Sequence, residues 1–391
     1  MKALPRLGHP GGVDADGHVV EPPDMWERYI DPAHRDVAMA VRTDDRNLQY
    51  LDLGRGRMSK VIRNGYPAGV ALMDRLADII YEREPKTGSV YVDLMPLGAM
   101  DPKERLERLD MENIERALLY PSLGVLWVAE VEDEAVIQPN LTAYNRWIVD
   151  FCSDSGGRLV PIAQLSLGDV EAAERELRRA AADGVKGVWV PPFTTGRLPL
   201  GDPAHDRIFR ACEELGLPLG IHPVFEPKWC APGRFGVYSD AKYGFFLNVT
   251  AGDAVRHAFT SLFQYGVFAR FPELRVVVLE SGAGWIGYWL DRMDTMYTTV
   301  QGGPVRELLS ELPSHYFKTQ CWISGDPDEK SLAAVIPTVG EDRFCWASDF
   351  PHPDHPPDYI PEVERLVAQL PESARVGFLG RNVVEAYRLE G

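Results

Sequence analysis

The sequence predicts an α/β protein of the (β/α)8 TIM-barrel class, with inserts on the catalytic face, and three observations carry that expectation. Eight short apolar runs bounded by turn residues recur along the 391-residue chain. Amphipathic helical stretches fill most of the intervals between them, and ionisable residues collect at the carboxyl ends of several runs. Strands of a parallel barrel are buried on both faces and therefore read as continuous apolar segments, and catalytic side chains gather where those strands end. An open doubly wound sheet is the rival architecture, but no run is followed by a GxGxxG phosphate loop.

Taken in order, the predicted strands are Val13–Val20, Arg116–Pro121, Leu159–Leu165, Val185–Pro191, Leu217–Pro223, Leu274–Glu280, Phe317–Ser324 and Phe344–Phe350. Ala172–Asp183 is a predicted helix stopped by Gly184, because glycine adopts the left-handed conformation that ends a helix. Asp206–Gly216 is another, with Ile208, Phe209, Cys212 and Leu215 at helical spacing. Two inserts break the alternation within what reads as one domain over residues 1–391. Residues 22–100 include Leu48–Leu53 and Ser59–Arg63, predicted to form a hairpin across Gly54–Gly56. Residues 224–270 are rich in Phe, Tyr, Trp and Gly. Both follow barrel strands, so both are expected to cap the catalytic face.

Composition narrows the partners. A formal net charge of −17 repels nucleic acid. No run of 18 apolar residues spans a membrane, and Met1–Gly12 lacks the apolar stretch of a signal peptide. The five cysteines are scattered without a CxxC pair, which argues against a disulfide framework or a zinc–cysteine site and fits a reducing cytoplasm. A small-molecule substrate is the expected partner, and the sequence leaves a homo-oligomer open.

The chemistry lies at the strand ends. Alternation along the first strand, VDADGHVVEP, places Asp16 and His18 on one face, with Glu21 in the following loop. The fifth strand ends in Gly220-Ile221-His222-Pro223. The sixth ends in Val278-Leu279-Glu280, where apolar neighbours cannot solvate a carboxylate, so Glu280 needs a partner or a metal. The eighth ends in Ser348-Asp349-Phe350-Pro351-His352. The expected metal ligands are Asp16, His18, His222, Glu280 and Asp349, with His352 and Glu21 as further ligands or proton relays. Oxygen donors mixed with imidazole suit iron or manganese at least as well as zinc. Arg55, Arg57, Lys60 and Arg63 form a basic cluster that is either a solvated hairpin or a clamp for an anionic handle on the substrate. Phe193, Phe225, Trp229, Phe235, Tyr238, Tyr243, Phe245 and Phe246 either pack the inserts or line an apolar substrate pocket.

DxHxxE, GIHP, ESGAGW and ASDFPHPD, together with Phe271-Pro272-Glu273-Leu274 and Gly380-Arg381-Asn382, resemble the amidohydrolase superfamily in its amidohydrolase-related, metal-dependent branch, from about residue 13 to Tyr387. That resemblance implies a barrel hydrolase, hydratase or nonoxidative decarboxylase. Three departures bear on the reaction. Asp16 stands where many members carry the first His of HxH. The fourth strand ends in Val190-Pro191 where dinuclear hydrolases carry a carboxylated Lys or a Glu, and Lys186 lies at the other end of that strand. Glu280 stands where decarboxylases carry a catalytic His, leaving His352 or His355 to replace it. The Glu-bearing pattern is similar to nonheme di-iron monooxygenases of terpenoid biosynthesis. The expectation is therefore two irons per chain and hydroxylation of a bulky apolar acid or its coenzyme A ester, with Arg55, Arg57 and Trp229 on the substrate. The alternative is a zinc- or manganese-dependent hydrolase or nonoxidative decarboxylase. A catalytically inactive barrel used for binding is the third reading.

Overall fold

Strand geometry in the computed structural model follows the apolar runs. Residues 4–43, 45, 49–59, 90–93, 95–227, 229–230, 249–250, 252–352 and 359–389 are described. The strands are β1 (Gly12–Val19), β2 (Ala40–Thr43), β3 (Gln49–Asp52), β4 (Ile114–Pro121), β5 (Leu159–Gln164), β6 (Gly187–Val190), β7 (Leu219–Ile221), β8 (Val276–Val278), β9 (Cys321–Gly325) and β10 (Phe344–Trp346). β2 and β3 pair antiparallel, and the other eight form one sheet in the order β1-β4-β5-β6-β7-β8-β9-β10. Each neighbouring pair in that sheet is parallel. The seam between β10 and β1 is closed just beyond the end of β10. There the Asp349 N–H donates to the Asp16 carbonyl at 2.9 Å and the His18 N–H to the Phe350 carbonyl at 2.6 Å. The result is the (β/α)8 barrel expected from the sequence.

The helices that brace the barrel are set by their ends. Val170–Asp183 starts on Asp169, whose carboxylate accepts from the Ala172 N–H, and stops at Gly184 with φ 108°. Asp206–Leu215 stops at Gly216 with φ 66°. Pro102–Glu112 starts on Asp101, which accepts from two main-chain N–H groups, with Pro102 in the first turn where no donor is needed. This last helix sends Arg105 and Arg108, both buried, beneath the seam. Arg105 donates to the His18 carbonyl at 2.8 Å. Its guanidinium and that of Arg108 lie 4.6 and 3.6 Å from the centre of the Phe350 ring. Arg108 in turn is neutralised by Glu112 at 2.6 Å, which keeps a buried cation from standing alone. One continuous apolar core runs from Leu7 to Leu389.

Two sequence expectations change. Phe317–Gln320 belongs to the helix Pro313–Gln320, and the seventh barrel strand begins only at Cys321. A single Pro at the first turn of that helix outweighs the strand-like run that follows it. Gln49–Asp52 pairs with Ala40–Thr43, and among the described residues the segment after Gly56 adds a bridge between Asp52 and Met58 and a bond from the Ser59 N–H to the Leu51 carbonyl at 2.9 Å. The turn itself is present, since Leu53 N–H bonds to the Arg57 carbonyl at 2.8 Å. Leu48, Lys60, Arg63, Phe235, Tyr238, Tyr243, Phe245, Phe246 and His355 lie outside the described residues. Among the described residues no helix is long and apolar enough to cross a membrane.

One glycine in β1 is a packing constraint. The pairing of β1 with β4 shifts register between Asp14 and Gly17. A Cβ at Gly17 would lie 2.8 Å from Asp14 Oδ2 and 3.0 Å from a terminal nitrogen of Arg105. Gly17→Ala is predicted to destabilise the protein by about 1–3 kcal/mol through overpacking. Calorimetric unfolding of the two proteins checks this, and equal stability would remove the constraint.

Candidate metal centre

The barrel seam places Asp16 and His18 beside the segment after β10. His222 follows β7 directly, and Glu280 lies two residues beyond β8. Asp16, His18 and His222 are fully buried. The two imidazole Nε2 atoms face each other at 3.3 Å. Asp16 Oδ1 lies 3.5 Å from each of them, Asp349 Oδ1 lies 3.2 Å from His18 Nε2, and Glu280 Oε2 lies 3.0 Å from His222 Nε2.

The other face of each ring explains this convergence. His18 Nδ1 is 2.9 Å from the Pro121 carbonyl and His222 Nδ1 is 2.6 Å from the Pro223 carbonyl. A carbonyl only accepts, so each Nδ1 carries the hydrogen. In the neutral rings both Nε2 lone pairs then point at the same place, which is the arrangement that a metal cation satisfies. Asp16 supports the same conclusion: neither of its buried oxygens receives a hydrogen bond. An orphaned buried carboxylate is costly unless a cation meets it.

Electrostatics agree with geometry. Burial by itself would lower the pKa of His18, yet Asp16 and Asp349 outweigh burial and push it up to about 10. His222 is likewise driven well above the ordinary histidine range against burial, by Asp16 and Glu280. Burial would raise Asp16 and Asp349, but the neighbouring imidazoles hold both below the usual carboxylate range. A pocket with this appetite for positive charge, lined by imidazole nitrogen and carboxylate oxygen, suits a divalent ion.

Two overlapping sets of donors have ligand atoms within 4.8 Å of one another: Asp16, His18, His222 and Glu280, and His18, Glu280, Asp349 and His352. His352 differs from the rest. Its Nδ1 is 2.8 Å from Asp349 Oδ1 and its Nε2 is 3.0 Å from Ser122 Oγ, so both ring nitrogens already have partners. It is better placed to hold a proton than to bind a metal. Two carboxylates also sit on unusual backbone, since Glu280 and Asp349 have φ of 38° and 51°. Left-handed backbone away from glycine costs free energy and persists where surroundings enforce it. Here the Glu280 N–H is held by Ser324 Oγ at 3.1 Å, and Ser348 beside Asp349 is held by Asp14. Burial pushes Asp14 up to about 6 against those hydrogen bonds from Ser348.

Glu21 takes no place around the metal point. Its two oxygens accept the Leu123 N–H at 2.8 Å and the Gly124 N–H at 2.9 Å, so it fixes the turn after β4. Arg55 is exposed and paired with Asp36 at 3.1 Å, and Arg57 is bound to the Glu130 carbonyl. Trp229 packs edge-on to Phe193 and beneath the Arg197 guanidinium. Asp14, Ser122, Ser324 and Ser348 drew no notice in the sequence. Asp14 had a signal, two residues before Asp16 on the same strand face, whereas the three serines are contacts between distant strands.

A family model described as amidohydrolase matches residues 13–389. Among curated proteins, a 2-amino-3-carboxymuconate-6-semialdehyde decarboxylase of Dictyostelium discoideum is 23% identical over 74% of this chain and 77% of its own length. A gamma-resorcylate decarboxylase of Rhizobium sp. (strain MTP-10005) is 26% identical over 73% of this chain and 87% of its own. An amidohydrolase crystal structure from Mycobacterium avium subsp. paratuberculosis K-10 matches with a TM-score of 0.78 at 21% identity, covering 97% of this chain and 99% of that one. A 5-carboxyvanillate decarboxylase from Novosphingobium aromaticivorans DSM 12444, complexed with manganese, matches with a TM-score of 0.63 at 22% identity over 99% of each chain. The solved structures bear on the fold. The curated relatives overturn the expected di-iron monooxygenase of a bulky acid or coenzyme A ester, because both are decarboxylases.

If the convergent donors hold the cation, Asp16→Asn should weaken Mn²⁺ binding by more than the roughly 10–100-fold typical of losing an outer hydrogen bond at a metal site. Isothermal titration of metal-free protein measures it, and unchanged affinity would remove Asp16 from the ligand set.

Proposed function

The chain belongs to the amidohydrolase family, and on that footing we propose that it is a nonoxidative decarboxylase of a small aromatic carboxylic acid, dependent on manganese or zinc. Asp16, His18, His222, Glu280 and Asp349 are the proposed ligands. The observation that carries the reading is the convergence of the two Nε2 lone pairs and the Asp16 oxygens on one point, next to a hydrogen-bonded Asp349–His352 pair. The curated relatives support decarboxylation over hydrolysis. So does β6, which ends in Val190 with Pro191 following and offers no bridging Lys or Glu, while Lys186 is exposed at its other end.

When bound, the divalent ion supplies positive charge that anchors the acid and draws electron density from the ring. Asp349 stays ionised and accepts from His352 Nδ1, which keeps that ring turned toward the site. His352 is the proposed proton donor. The bond between ring carbon and carboxylate breaks, its electron pair stays on the carbon, CO2 leaves, and the Nε2 proton of the doubly protonated His352 completes the new C–H bond while the Nδ1 hydrogen stays with Asp349. The Tyr120 and Trp189 rings, 5.6 and 5.2 Å from the His222 ring, pack against that imidazole and hold it facing the metal point.

The test uses manganese-loaded protein, strict anaerobiosis and a panel of hydroxylated benzoates, in D2O. We expect CO2 release without oxygen and one deuterium at the vacated ring carbon. His352→Asn should lower kcat by about 10²–10⁴-fold, the usual worth of a general acid. Release of no CO2 from any panel member, or hydrolysis of amides or esters in its place, would overturn the proposal.

A further inference from the structure

Behind His352 runs a continuous line of hydrogen bonds that ends on a second strand. Ser122, the residue after β4, is 2% exposed. Its Oγ is 3.0 Å from His352 Nε2. Its own N–H is held by the Val19 carbonyl at 3.0 Å. The next two residues, Leu123 and Gly124, give their N–H groups to the two oxygens of Glu21. Glu21 is fixed in turn by the Tyr91 hydroxyl, which donates to its carbonyl at 2.6 Å. The Ser122 hydroxyl is therefore anchored from both sides of its own main chain. It meets an imidazole whose other nitrogen is already committed to Asp349.

We propose that Ser122 is a positioning residue for the reaction, setting the ring orientation of His352 while Asp349 fixes the hydrogen on its Nδ1, with Glu21 holding Ser122 in place. This rests on the reading of His352 as proton donor. The chemistry of the two partners requires it. An ionised carboxylate only accepts, so His352 Nδ1 carries a hydrogen. A hydroxyl both donates and accepts, so Ser122 Oγ serves His352 Nε2 whether that nitrogen presents a lone pair or a hydrogen. No main-chain carbonyl or N–H could follow both states, and the nearby His18 ring, 3.9 Å away centroid to centroid, leaves the imidazole little room to swing. The geometry has the form of a Ser–His–Asp line, but Ser122 is buried, and the two N–H groups next to it are occupied by Glu21. It holds the histidine and does not attack substrate.

Two variants and two readouts test this. In Ser122→Ala, His352 Nε2 loses its partner, and we expect kcat to fall about 10–100-fold with KM and bound metal little changed. Ser122→Thr keeps the hydroxyl and should recover most of the loss. The second readout needs no substrate: ¹⁵N-histidine spectra of zinc-loaded protein, with the His352 signals identified by their absence in His352→Asn. Wild type should show one ordered form of His352 with Nδ1 protonated, and Ser122→Ala a shifted and broadened Nε2 signal with Nδ1 still protonated. Unchanged His352 signals in Ser122→Ala would overturn the proposal. So would loss of metal accompanying any loss of rate, which would make Ser122 part of the metal scaffold. A wild type that decarboxylates nothing, with the His352 signals still responding to Ser122→Ala, would remove the assigned reaction and leave the positioning of His352 standing.

Discussion

The seam that closes the barrel is the constraint on which the site depends. β1 and β10 form no ladder. They are joined where Asp349 N–H meets the Asp16 carbonyl and His18 N–H meets the Phe350 carbonyl. Those two bonds belong to three proposed ligands, so barrel closure and ligand convergence are one event. The seam is reinforced from below by Asp14 on Ser348 and by Arg105 on the His18 carbonyl. Because these supports are buried, their hydrogen bonds are not exchanged with water, and losing one partner strands the other. A change at Asp14 or Gly17 is therefore felt at the metal point without touching it.

The site balances charges that are individually unfavourable. Three carboxylates and three imidazoles crowd one site, and Glu280 and Asp349 both sit on left-handed backbone. Each strained residue has a serine contact at or beside it, Ser324 for Glu280 and Ser348 for Asp349. Strain of this kind is retained where a side chain must be aimed rather than where the chain merely turns. The cation meets the charge, the serines hold the backbone, and the main-chain carbonyls of Pro121 and Pro223 aim the imidazoles.

Much of this was legible in the sequence, for physical reasons. Buried parallel strands are apolar throughout, so all eight stood out as runs, and their ionisable residues stood out against apolar neighbours. Asp16, His18, His222, Glu280, Asp349 and His352 were found that way, and the structure brings them together. What sequence could not supply was partnership. Glu21 looked like a member of the site because it is three residues from His18, yet its carboxylate is consumed by Leu123 and Gly124. Arg55 and Arg57 read as part of a basic cluster, a solvated hairpin or a clamp, and their partners Asp36 and Glu130 were not legible beside them. The strand predicted from Phe317 began too early because a local apolar run cannot show where a helix ends.

The monooxygenase expectation failed for a related reason. It rested on the Glu280-bearing ligand pattern and on the departures at Asp16, Val190-Pro191 and Glu280 from the hydrolase and decarboxylase patterns. A ligand set constrains which ions fit, through hardness and charge, but it leaves the reaction open. Asp349 illustrates the gap. As a formula it is one more anionic ligand, whereas in place its Oδ1 is shared between His18 at 3.2 Å and His352 at 2.8 Å. That sharing ties a metal-facing carboxylate to an imidazole able to hold a proton, and proton delivery to carbon is what a decarboxylase must add to a metal site. The decarboxylases that the sequence resembles carry a catalytic histidine on the sixth strand. With Glu280 on that strand, the imidazole next to the metal comes from beyond the eighth strand, and it is held there by a serine from the second.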